Sequence, residues 1–293
     1  MINEYVVVCV SSQAIPESFE VAIRKIFHDF KIEIQNIKRN QSLRYFTQSS
    51  DLNLELLNSS LMYLSSLHQI DIAFMPKSLF ETKKKLVVFD MDSTLITAEV
   101  IDEIALKHGV GDQVKLITLR AMNGELDFTQ SLTERVALLK GFPEKYMVEI
   151  LKNLTFTPGT QEFIQKLKLG GIKTAIASGG FEYFANDIKN KLQMDYVFAN
   201  KLQFSSHILT GKVEGSIIDA KAKENIVVKL AQSENLNLDQ VVAIGDGAND
   251  IPMLLKAGLG IAIHAKEKVQ KSARFRINFG PMTSALSYMN LDN

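Results

Sequence analysis

Two carboxylates and two hydroxyls follow an apolar run near the middle of the chain, in a pattern suited to nucleophile and proton-transfer chemistry. The segment Asp90–Thr94 (DMDST) comes directly after Leu86–Phe89 (LVVF), where a buried strand would end. Because residues i and i+2 of an extended chain point the same way, Asp90 and Asp92 would face one substrate. One can then act as the nucleophile and the other as the general acid and base. Taken alone, the segment fits capping of a following helix equally well.

Two other loops would bring complementary groups to the same place. Ser178–Gly180 (SGG) follows Thr174–Ala177, and its hydroxyl and bare backbone N–H groups can approach an anion closely. Gly245–Asp250 (GDGAND) follows Val241–Ile244 and adds further carboxylates. Because open α/β sheets bind ligands at the carboxyl ends of their strands, these loops are expected to converge. Carboxylates gathered there would repel one another without a cation between them, and ligands that are all oxygen favour Mg²⁺.

A pair of lysines between these motifs offers positive charge for a phosphate. Asp219–Lys223 (DAKAK) contains Lys221 and Lys223, and an ammonium group can neutralise phosphoryl oxygens. The segment also fits an ordinary solvated helix start. The residues alone leave open which lysine would act.

The composition narrows the classes of function. The chain has 293 residues, with 33 acidic and 33 basic side chains, which suits about two domains. Zero net charge gives no general reason to expect nucleic acid or a membrane surface as a partner. The single cysteine, Cys9, excludes an intrachain disulfide and a cysteine-based zinc site and is expected in the core. No apolar stretch approaches the roughly 20 residues of a spanning helix, and Glu4 replaces a basic leader, so we expect a cytoplasmic protein.

The first 80 residues predict a small α+β domain. Their strand-like and helix-like segments follow the order β-α-β-β-α-β, which is typical of a ferredoxin-like fold. The segments are Tyr5–Val10, Glu17–Phe30, Ile32–Lys38, Leu43–Gln48, Leu52–Leu67 and Ile70–Phe74. Met75-Pro76 and the polar stretch Glu81–Lys85 indicate a boundary, and we interpret Lys83–Lys85 as a solvated linker. The first domain is therefore predicted over 1–80.

The second domain is predicted over 84–293, with an insertion. Val100–Leu154 lacks strand character and has apolar residues at three- and four-residue spacing, which predicts a helical cap over about 98–155. Strand and helix patterns then alternate, as in a doubly wound, mainly parallel α/β sheet. The predicted strands are Lys173–Ala177, Tyr196–Ala199, Val241–Ile244 and Leu259–Ile263, and the helices include Gln161–Lys168 and Ala222–Gln232.

Together these motifs resemble the haloacid dehalogenase (HAD) superfamily of phosphohydrolases, and within it the phosphoserine phosphatase family. The resemblance covers nearly all of Lys84–Asn293. It implies a HAD-like doubly wound parallel sheet with an inserted helical cap, preceded by an ACT-like unit with the ferredoxin-like fold. It rests on VVFDMDST (87–94), Glu99, MNGELDF (122–128), Arg135, SGGF (178–181), Lys223 and GDGAND (245–250).

The resemblance also implies a mechanism. Asp90 would attack phosphorus to give an aspartyl phosphate, and Asp92 would protonate the departing serine oxygen and then deprotonate the hydrolytic water. Mg²⁺ would be held by the side chains of Asp90 and Asp246 and by the backbone carbonyl of Asp92. This agrees with the physical chemistry, because a carboxylate that attacks a phosphoryl dianion needs fixed positive charge nearby.

The remaining site residues are assigned through the same resemblance. Lys223 fits the family spacing better than Lys221, which is the fallback, and Asp250 would orient Lys223 or a metal-bound water. The groups expected around the phosphoryl oxygens are Lys223, Ser178, Gly179, Gly180 and Asn249.

Substrate selection would depend on the cap. Phosphoserine carries an α-ammonium and an α-carboxylate, so a selective pocket needs one acid and one base. The family uses the positions matched by Glu99 and Arg135, with Met122 and Phe128 as an apolar shield. The implied reaction is hydrolysis of phosphoserine to serine and phosphate, the last step of serine biosynthesis.

The resemblance says less about the first domain. Some relatives carry an ACT-like regulatory unit there, yet Ser11–Pro16, after the first strand, lacks the glycine usual at the ligand turn. We therefore favour a role in stability or in homodimer formation over serine sensing.

Three alternatives remain open. The same residues could transfer the phosphoryl group to another alcohol such as homoserine. They could also serve a phosphatase for another small phosphomonoester, which would not need both Glu99 and Arg135. The third alternative is an amino-acid-binding regulatory protein with a degenerate catalytic domain, which the presence of every expected catalytic side chain disfavours.

Overall fold

The first of two sheets is antiparallel and belongs to the N-terminal part of the chain. The computed structural model describes residues 3–39, 42–50 and 52–292, so the outermost predicted domain bounds lie outside the described residues. The sheet has the strand order β2-β3-β1-β4. This confirms the ferredoxin-like arrangement. Its elements are β1 (Asn3–Val10), α1 (Glu17–Asp29), β2 (Glu33–Arg39), β3 (Leu43–Ser49), α2 (Leu54–His68) and β4 (Asp71–Pro76), followed by α3 (Lys77–Glu81).

Both faces of this sheet are covered. Alternate residues of β1 point to opposite faces, as the pleat requires. Val7 and Cys9 pack under α1 and α2, whereas Val6 and Val8 join the core of the second domain. Cys9 is a fully buried free thiol, as predicted for a core residue.

Two buried carboxylates of the interface tie the first domain to the second. Asp292, near the chain end, is held by the Arg44 guanidinium and by the hydroxyl of Ser42. Asp71, the first residue of β4, accepts backbone N–H bonds from residues 278–280. Burial of a charged group is tolerated only where the group is paired and hydrogen-bonded. These contacts therefore fix how the two domains pack against each other.

The second sheet has seven strands in the order β11-β10-β9-β5-β6-β7-β8. All its strands pair in parallel except β7 and β8, which form a hairpin. This confirms the mainly parallel α/β fold. The strands are β5 (Leu86–Phe89), β6 (Lys173–Phe181), β7 (Tyr196–Ser205), β8 (Ile208–Glu214), β9 (Val241–Gly245), β10 (Leu259–Ile263) and β11 (Phe275–Ile277).

Helices flank the sheet and form the cap. Every residue of β5, β9 and β10 is buried, as expected for parallel strands covered on both faces. The cap helices are α4 (Val100–His108), α5 (Gly111–Met122), α6 (Phe128–Leu138) and α7 (Lys145–Asn153). The others are α8 (Thr160–Leu169), α9 (Glu182–Leu192), α10 (Ala220–Ser233), α11 (Ile251–Lys256), α12 (Glu267–Ser272) and α13 (Ala285–Tyr288). None of the helices in the described ranges is long and apolar enough to cross a membrane.

The cap joins the sheet domain at two chain crossings, which we call the cap hinge (residues 95–97 and 155–157). An antiparallel bridge links Ile96 with Phe156, and the Thr97 N–H donates to the carbonyl of Thr155 at 3.0 Å. The hinge is therefore a short two-stranded connection directly after the Asp90–Thr94 loop.

The β7–β8 hairpin is a third attachment of the cap. The Leu209 N–H donates to the carbonyl of Phe142, and the Gly141 N–H donates to the carbonyl of Leu209, both at 2.9 Å. These bonds hold the connection between α6 and α7. The opposite end of the cap, where α5 leads into α6, is not part of this attachment.

The structure departs from the sequence-based expectations at two strands that were not predicted, β8 and β11, and at one lysine. The hairpin strand β8 was not predicted, because its sequence ILTGKVE has a glycine and a lysine in its middle. Lys84 was interpreted as part of a solvated linker, and this was wrong. Its side chain is buried, and its ammonium donates to the carbonyls of Leu79 (2.6 Å) and Thr82 (3.1 Å), where it caps the end of α3.

Candidate active site

A cleft of about 720 Å³ lies between the cap and the carboxyl ends of the central strands. Asp90 directly follows β5, Ser178 lies three residues before the end of β6, and Asp246 directly follows β9. Because β5 pairs with both β6 and β9, these three side chains are brought side by side at one sheet edge. This is the position at which doubly wound sheets bind their ligands.

The structure brings all the predicted site residues together. Two of them, Lys223 and Asp250, lie buried beneath the floor of the cleft. The others line it, namely Asp90, Asp92, Glu99, Met122, Phe128, Arg135, Ser178, Gly179, Gly180, Asp246 and Asn249.

A buried lysine joins two carboxylates below the cleft. The Lys223 ammonium lies 2.8 Å from Asp90 Oδ1 and 2.7 Å from Asp250 Oδ1, and its side chain is fully buried. Burial opposes the charge on Lys223, but the charges of Asp250 and Asp90 outweigh it and raise the lysine pKa. Lys221, by contrast, is exposed and pairs with Glu224 on the helix surface. The geometry therefore favours Lys223 as the lysine of the site.

Three carboxylates are close enough to hold one metal ion. Oxygen atoms of Asp90, Asp246 and Asp250 lie within 4.8 Å of one another. Burial and the neighbouring Asp90 charge raise the pKa of Asp246 to about 6 and that of Asp250 to about 7. Such repulsion is relieved by a divalent cation, and an all-oxygen donor set fits Mg²⁺. Both oxygens of Asp250 are already bonded, Oδ1 to Lys223 and Oδ2 to the Gly247 N–H at 2.9 Å, whereas Asp90 meets Lys223 through Oδ1. Asp90 and Asp246 are therefore the side chains best placed to be ligands.

Asp92 lies in a setting that favours its protonated form. Burial, with the negative charges of Glu99 and Asp90, raises the pKa of Asp92 well above its ordinary value. One oxygen of Asp92 accepts the N–H of Val100 at 3.2 Å, which fixes the orientation of the carboxyl group. A carboxyl group with a raised pKa and a fixed orientation is suited to donate a proton.

Two glycines leave room where any side chain would collide with the site. A Cβ at Gly179 would lie 2.7 Å from the Phe128 ring, and a Cβ at Gly180 would overlap the Asp92 carboxylate. The Gly180 N–H donates to the buried Ser178 hydroxyl at 2.8 Å. The small residues therefore let backbone N–H groups and one hydroxyl reach the floor of the cleft.

The cap contributes charged and apolar groups to the opposite wall. Arg135 donates from Nε to the Ser131 carbonyl, and Glu99 accepts the Ser93 hydroxyl at 2.8 Å. Burial lowers the pKa of Arg135, while the nearby charges of Asp102 and Glu99 oppose this. The acid and the base thus lie close enough to influence each other. Met122 lines the cleft but is 66% exposed, so it does not shield the site in this conformation.

Three residues to which reasoning from the sequence gave no individual role also belong to the site. The Thr94 hydroxyl donates to Asp246 Oδ1 at 3.0 Å, and the Asn200 amide donates to the Gly179 carbonyl at 2.8 Å. Lys266 lines the cleft beyond β10. Asn200 immediately follows the predicted strand Tyr196–Ala199, so the strand-end signal used for the other loops could have found it. Lys266 lies three residues beyond its strand and gives no such signal.

Comparison with known proteins gives a consistent result. A family model described as haloacid dehalogenase-like hydrolase matches residues 84–258. The phosphoserine phosphatase of Methanocaldococcus jannaschii is 47% identical over 209 residues, which cover 71% of this chain and 99% of that protein. That of Archaeoglobus fulgidus is 45% identical over 222 residues, which cover 76% of this chain but only 64% of that protein.

Solved structures resemble both parts of the chain. A HAD family hydrolase from Salmonella enterica serovar Typhi matches with a TM-score of 0.86 and 30% identity, and 98% of each chain is covered. A substrate-bound phosphoserine phosphatase matches with a TM-score of 0.67 and 46% identity, over 71% of this chain and all of that one. The first match includes the N-terminal sheet, whereas the second covers a portion as long as the sheet domain with its cap.

Proposed function

The chain belongs to the haloacid dehalogenase-like hydrolases and to their phosphoserine phosphatase family, and from this premise we propose its reaction and mechanism. It is a phosphatase, and the proposed reaction is Mg²⁺-dependent hydrolysis of O-phospho-L-serine to L-serine and phosphate. The observation that carries the proposal is the pairing of a buried Asp90–Lys223–Asp250 network with the Asp92 carboxyl group two residues away, whose pKa is raised by burial and by the charges of Glu99 and Asp90.

The first half of the proposed reaction forms an aspartyl phosphate on Asp90. The carboxylate attacks phosphorus, the bond from phosphorus to the serine oxygen breaks, and Asp92 gives its proton to that oxygen. Lys223 pairs with Asp90 and contributes positive charge beside the phosphoryl group. Bound Mg²⁺, held by Asp90, Asp246 and the Asp92 carbonyl, would supply further charge neutralisation.

The second half restores the enzyme. Asp92, now a carboxylate, takes a proton from water, the resulting hydroxide attacks the same phosphorus, and the bond to Asp90 breaks. Asp92 is then protonated again, as the first half requires. Ser178, the backbone N–H of Gly179 and the Asn249 amide are proposed to hold the phosphoryl oxygens throughout.

The decisive test of this proposal is phosphate release from L-phosphoserine with Mg²⁺ and with EDTA. We expect turnover with Mg²⁺, loss of at least about 100-fold in EDTA, and recovery when Mg²⁺ is added in excess. A generic phosphomonoester, p-nitrophenyl phosphate, serves as the control. Turnover of the control without turnover of phosphoserine would support the phosphatase reaction but show that phosphoserine is not the substrate. Phosphate that appears on an added alcohol instead of in solution would indicate a phosphotransferase.

Substrate selection is proposed to depend on Glu99 and Arg135, which would bind the α-ammonium and the α-carboxylate. We expect Arg135→Ala to lower kcat/KM for phosphoserine by about 100-fold, because one charge-assisted pair is lost. The same variant should change the hydrolysis of phosphoethanolamine, which lacks the carboxylate, by less than about threefold. An equal loss of kcat/KM on both substrates would show that Arg135 does not bind the carboxylate.

The first domain is proposed to stabilise the second. Its sheet has one face under its own helices and the other against the second domain, and two buried carboxylates lie in the interface. Formation of a homodimer through its remaining surface stays a prediction, which a measurement of molar mass in solution would test.

A further inference from the structure

One loop of the second domain contacts both the first domain and the cap hinge. We call it the brace loop (residues 278–283). Its first half is held by Asp71 of β4, whose carboxylate accepts the backbone N–H groups of Asn278 at 2.7 Å and Gly280 at 2.8 Å. The Asp71 side chain is almost fully buried. Several N–H bonds to one buried carboxylate fix a loop more firmly than apolar contact alone.

The second half of the brace loop packs against the chain where it leaves the cap. The Met282 N–H donates to the Pro158 carbonyl at 2.8 Å. Gly159, with φ of +84°, lies so close that a Cβ there would be 3.1 Å from Pro281 Cβ. Only a glycine is free of strain in this backbone conformation, so the contact depends on a specific local geometry. The brace loop thus packs against the chain directly after hinge residues 155–157, where the chain returns from the cap to the sheet domain.

The hinge in turn adjoins the Asp90–Thr94 loop. The Thr157 N–H donates to the Leu95 carbonyl at 3.0 Å, and the hydroxyl of the adjacent Thr94 binds Asp246. Bonded groups therefore run without a gap from Asp71 through the brace loop to the hinge, from which the chain leads to Glu99 and the cap, whereas the Asp90–Thr94 loop is tied separately to the sheet through Thr94 and Asp246. Contiguous contacts of this kind are one way in which energetic coupling is carried between distant parts of a protein.

We propose that Asp71 is a positioning residue for the cap, so that the first domain takes part in closing the active site over its substrate. The inference rests on the proposed function in one respect, namely that cap groups bind the amino-acid part of the substrate. When Asp71 is lost, the brace loop is released, and the hinge no longer holds Glu99 and Arg135 at the distance that phosphoserine needs. The phosphoryl-binding groups follow strands of the sheet and are not displaced.

The test compares Asp71→Ala with a control that breaks a different contact in the same domain interface. Arg44→Met removes the buried ion pair with Asp292, which lies beyond the brace loop. We expect Asp71→Ala to lower kcat/KM for phosphoserine by about tenfold and to leave p-nitrophenyl phosphate within about twofold. Arg44→Met should lower the melting temperature but leave both substrates within about twofold of the wild type. The conservative variant Asp71→Asn, which keeps one acceptor oxygen, should recover part of the loss.

Hydrogen exchange provides a readout that a merely structural role would not change. In Asp71→Ala, amides of residues 155–160 should exchange at least about tenfold faster than in Arg44→Met. If the two variants lose the same stability and show the same kinetics and hinge protection, Asp71 only joins the domains and the proposal is wrong.

The wild-type chain offers a second test that does not depend on any variant folding. Coupling is reciprocal, so binding of L-serine, whose ammonium and carboxylate would meet the cap groups, should slow exchange of the amides at 278–280 by at least about threefold, and inorganic phosphate alone should not. Unchanged exchange there, with L-serine bound, would overturn the proposal. Failure of L-serine to bind at all would contradict the proposed substrate instead, so the two failures are distinguishable.

Discussion

Asp90→Asn is expected to abolish turnover, with a loss of at least about 10³-fold in kcat for phosphoserine and for p-nitrophenyl phosphate alike. The amide has nearly the same shape as the carboxylate but is not a nucleophile toward phosphorus. The substitution also removes one of the two negative charges beside Lys223, and the lysine keeps Asp250 as its remaining partner. The measurement is phosphate release under saturating substrate and Mg²⁺.

The control for this prediction is the fold of the variant. Burial and the charge of Asp90 raise the pKa values of Asp246 and Asp250. Neutralisation of Asp90 therefore relieves repulsion among these carboxylates. The variant should therefore melt close to the temperature of the wild type, although it is inactive, because Lys223 keeps its ion pair with Asp250 while the repulsion is relieved. Retention of more than about a tenth of the wild-type activity would contradict the assignment of Asp90 as the nucleophile.

Lys223→Ala is expected to damage both stability and activity. The variant leaves Asp90 and Asp250 buried without their common partner, and breaking a buried ion pair in this way costs about 3 to 5 kcal/mol. The free energy of unfolding should fall by about that amount in denaturant titrations. Activity should fall by at least about 100-fold in the fraction that remains folded, because charge beside the phosphoryl group is lost.

Lys221→Ala is the matched control, since the two lysines lie two residues apart on the same helix. Lys221 is exposed and pairs with Glu224, and an exposed pair contributes little to stability because water and salt screen it. We expect this variant to keep the stability and the turnover of the wild type within experimental error. The opposite outcome, an inactive Lys221→Ala beside an active Lys223→Ala, would assign the site lysine to Lys221.

Local sequence patterns predicted much of the fold because they follow from burial. The order of elements in the first domain and the strands Leu86–Phe89, Val241–Ile244 and Leu259–Ile263 were recognised from apolar runs, which parallel and half-buried strands require. The site loops were recognised because polar groups directly follow those runs. The roles of Lys223 and Arg135, however, came from the resemblance to a family, since an isolated lysine or arginine has no distinguishing pattern.

The remaining features depend on contacts between residues far apart in the chain. Lys84 looked like part of a charged linker, and only the carbonyls of Leu79 and Thr82 give it a buried partner. Asp71 was part of a predicted strand end, but its importance comes from N–H groups about 200 residues later. No local pattern encodes such pairs, so neither the domain interface nor the brace loop could have been predicted.

The three attachments of the cap have a consequence for how this scaffold can diversify. The two hinge crossings and the β7–β8 hairpin anchor the cap at one end, while the segment from Met122 to Phe128 faces the cleft at the other. Insertions, deletions and exchanges in that free segment leave the phosphoryl-transfer groups untouched, because those follow the strands of the sheet. The chain thus separates a fixed reaction module from a replaceable recognition module. A laboratory library confined to residues 122–128 would test new phosphate esters at little risk to the chemistry.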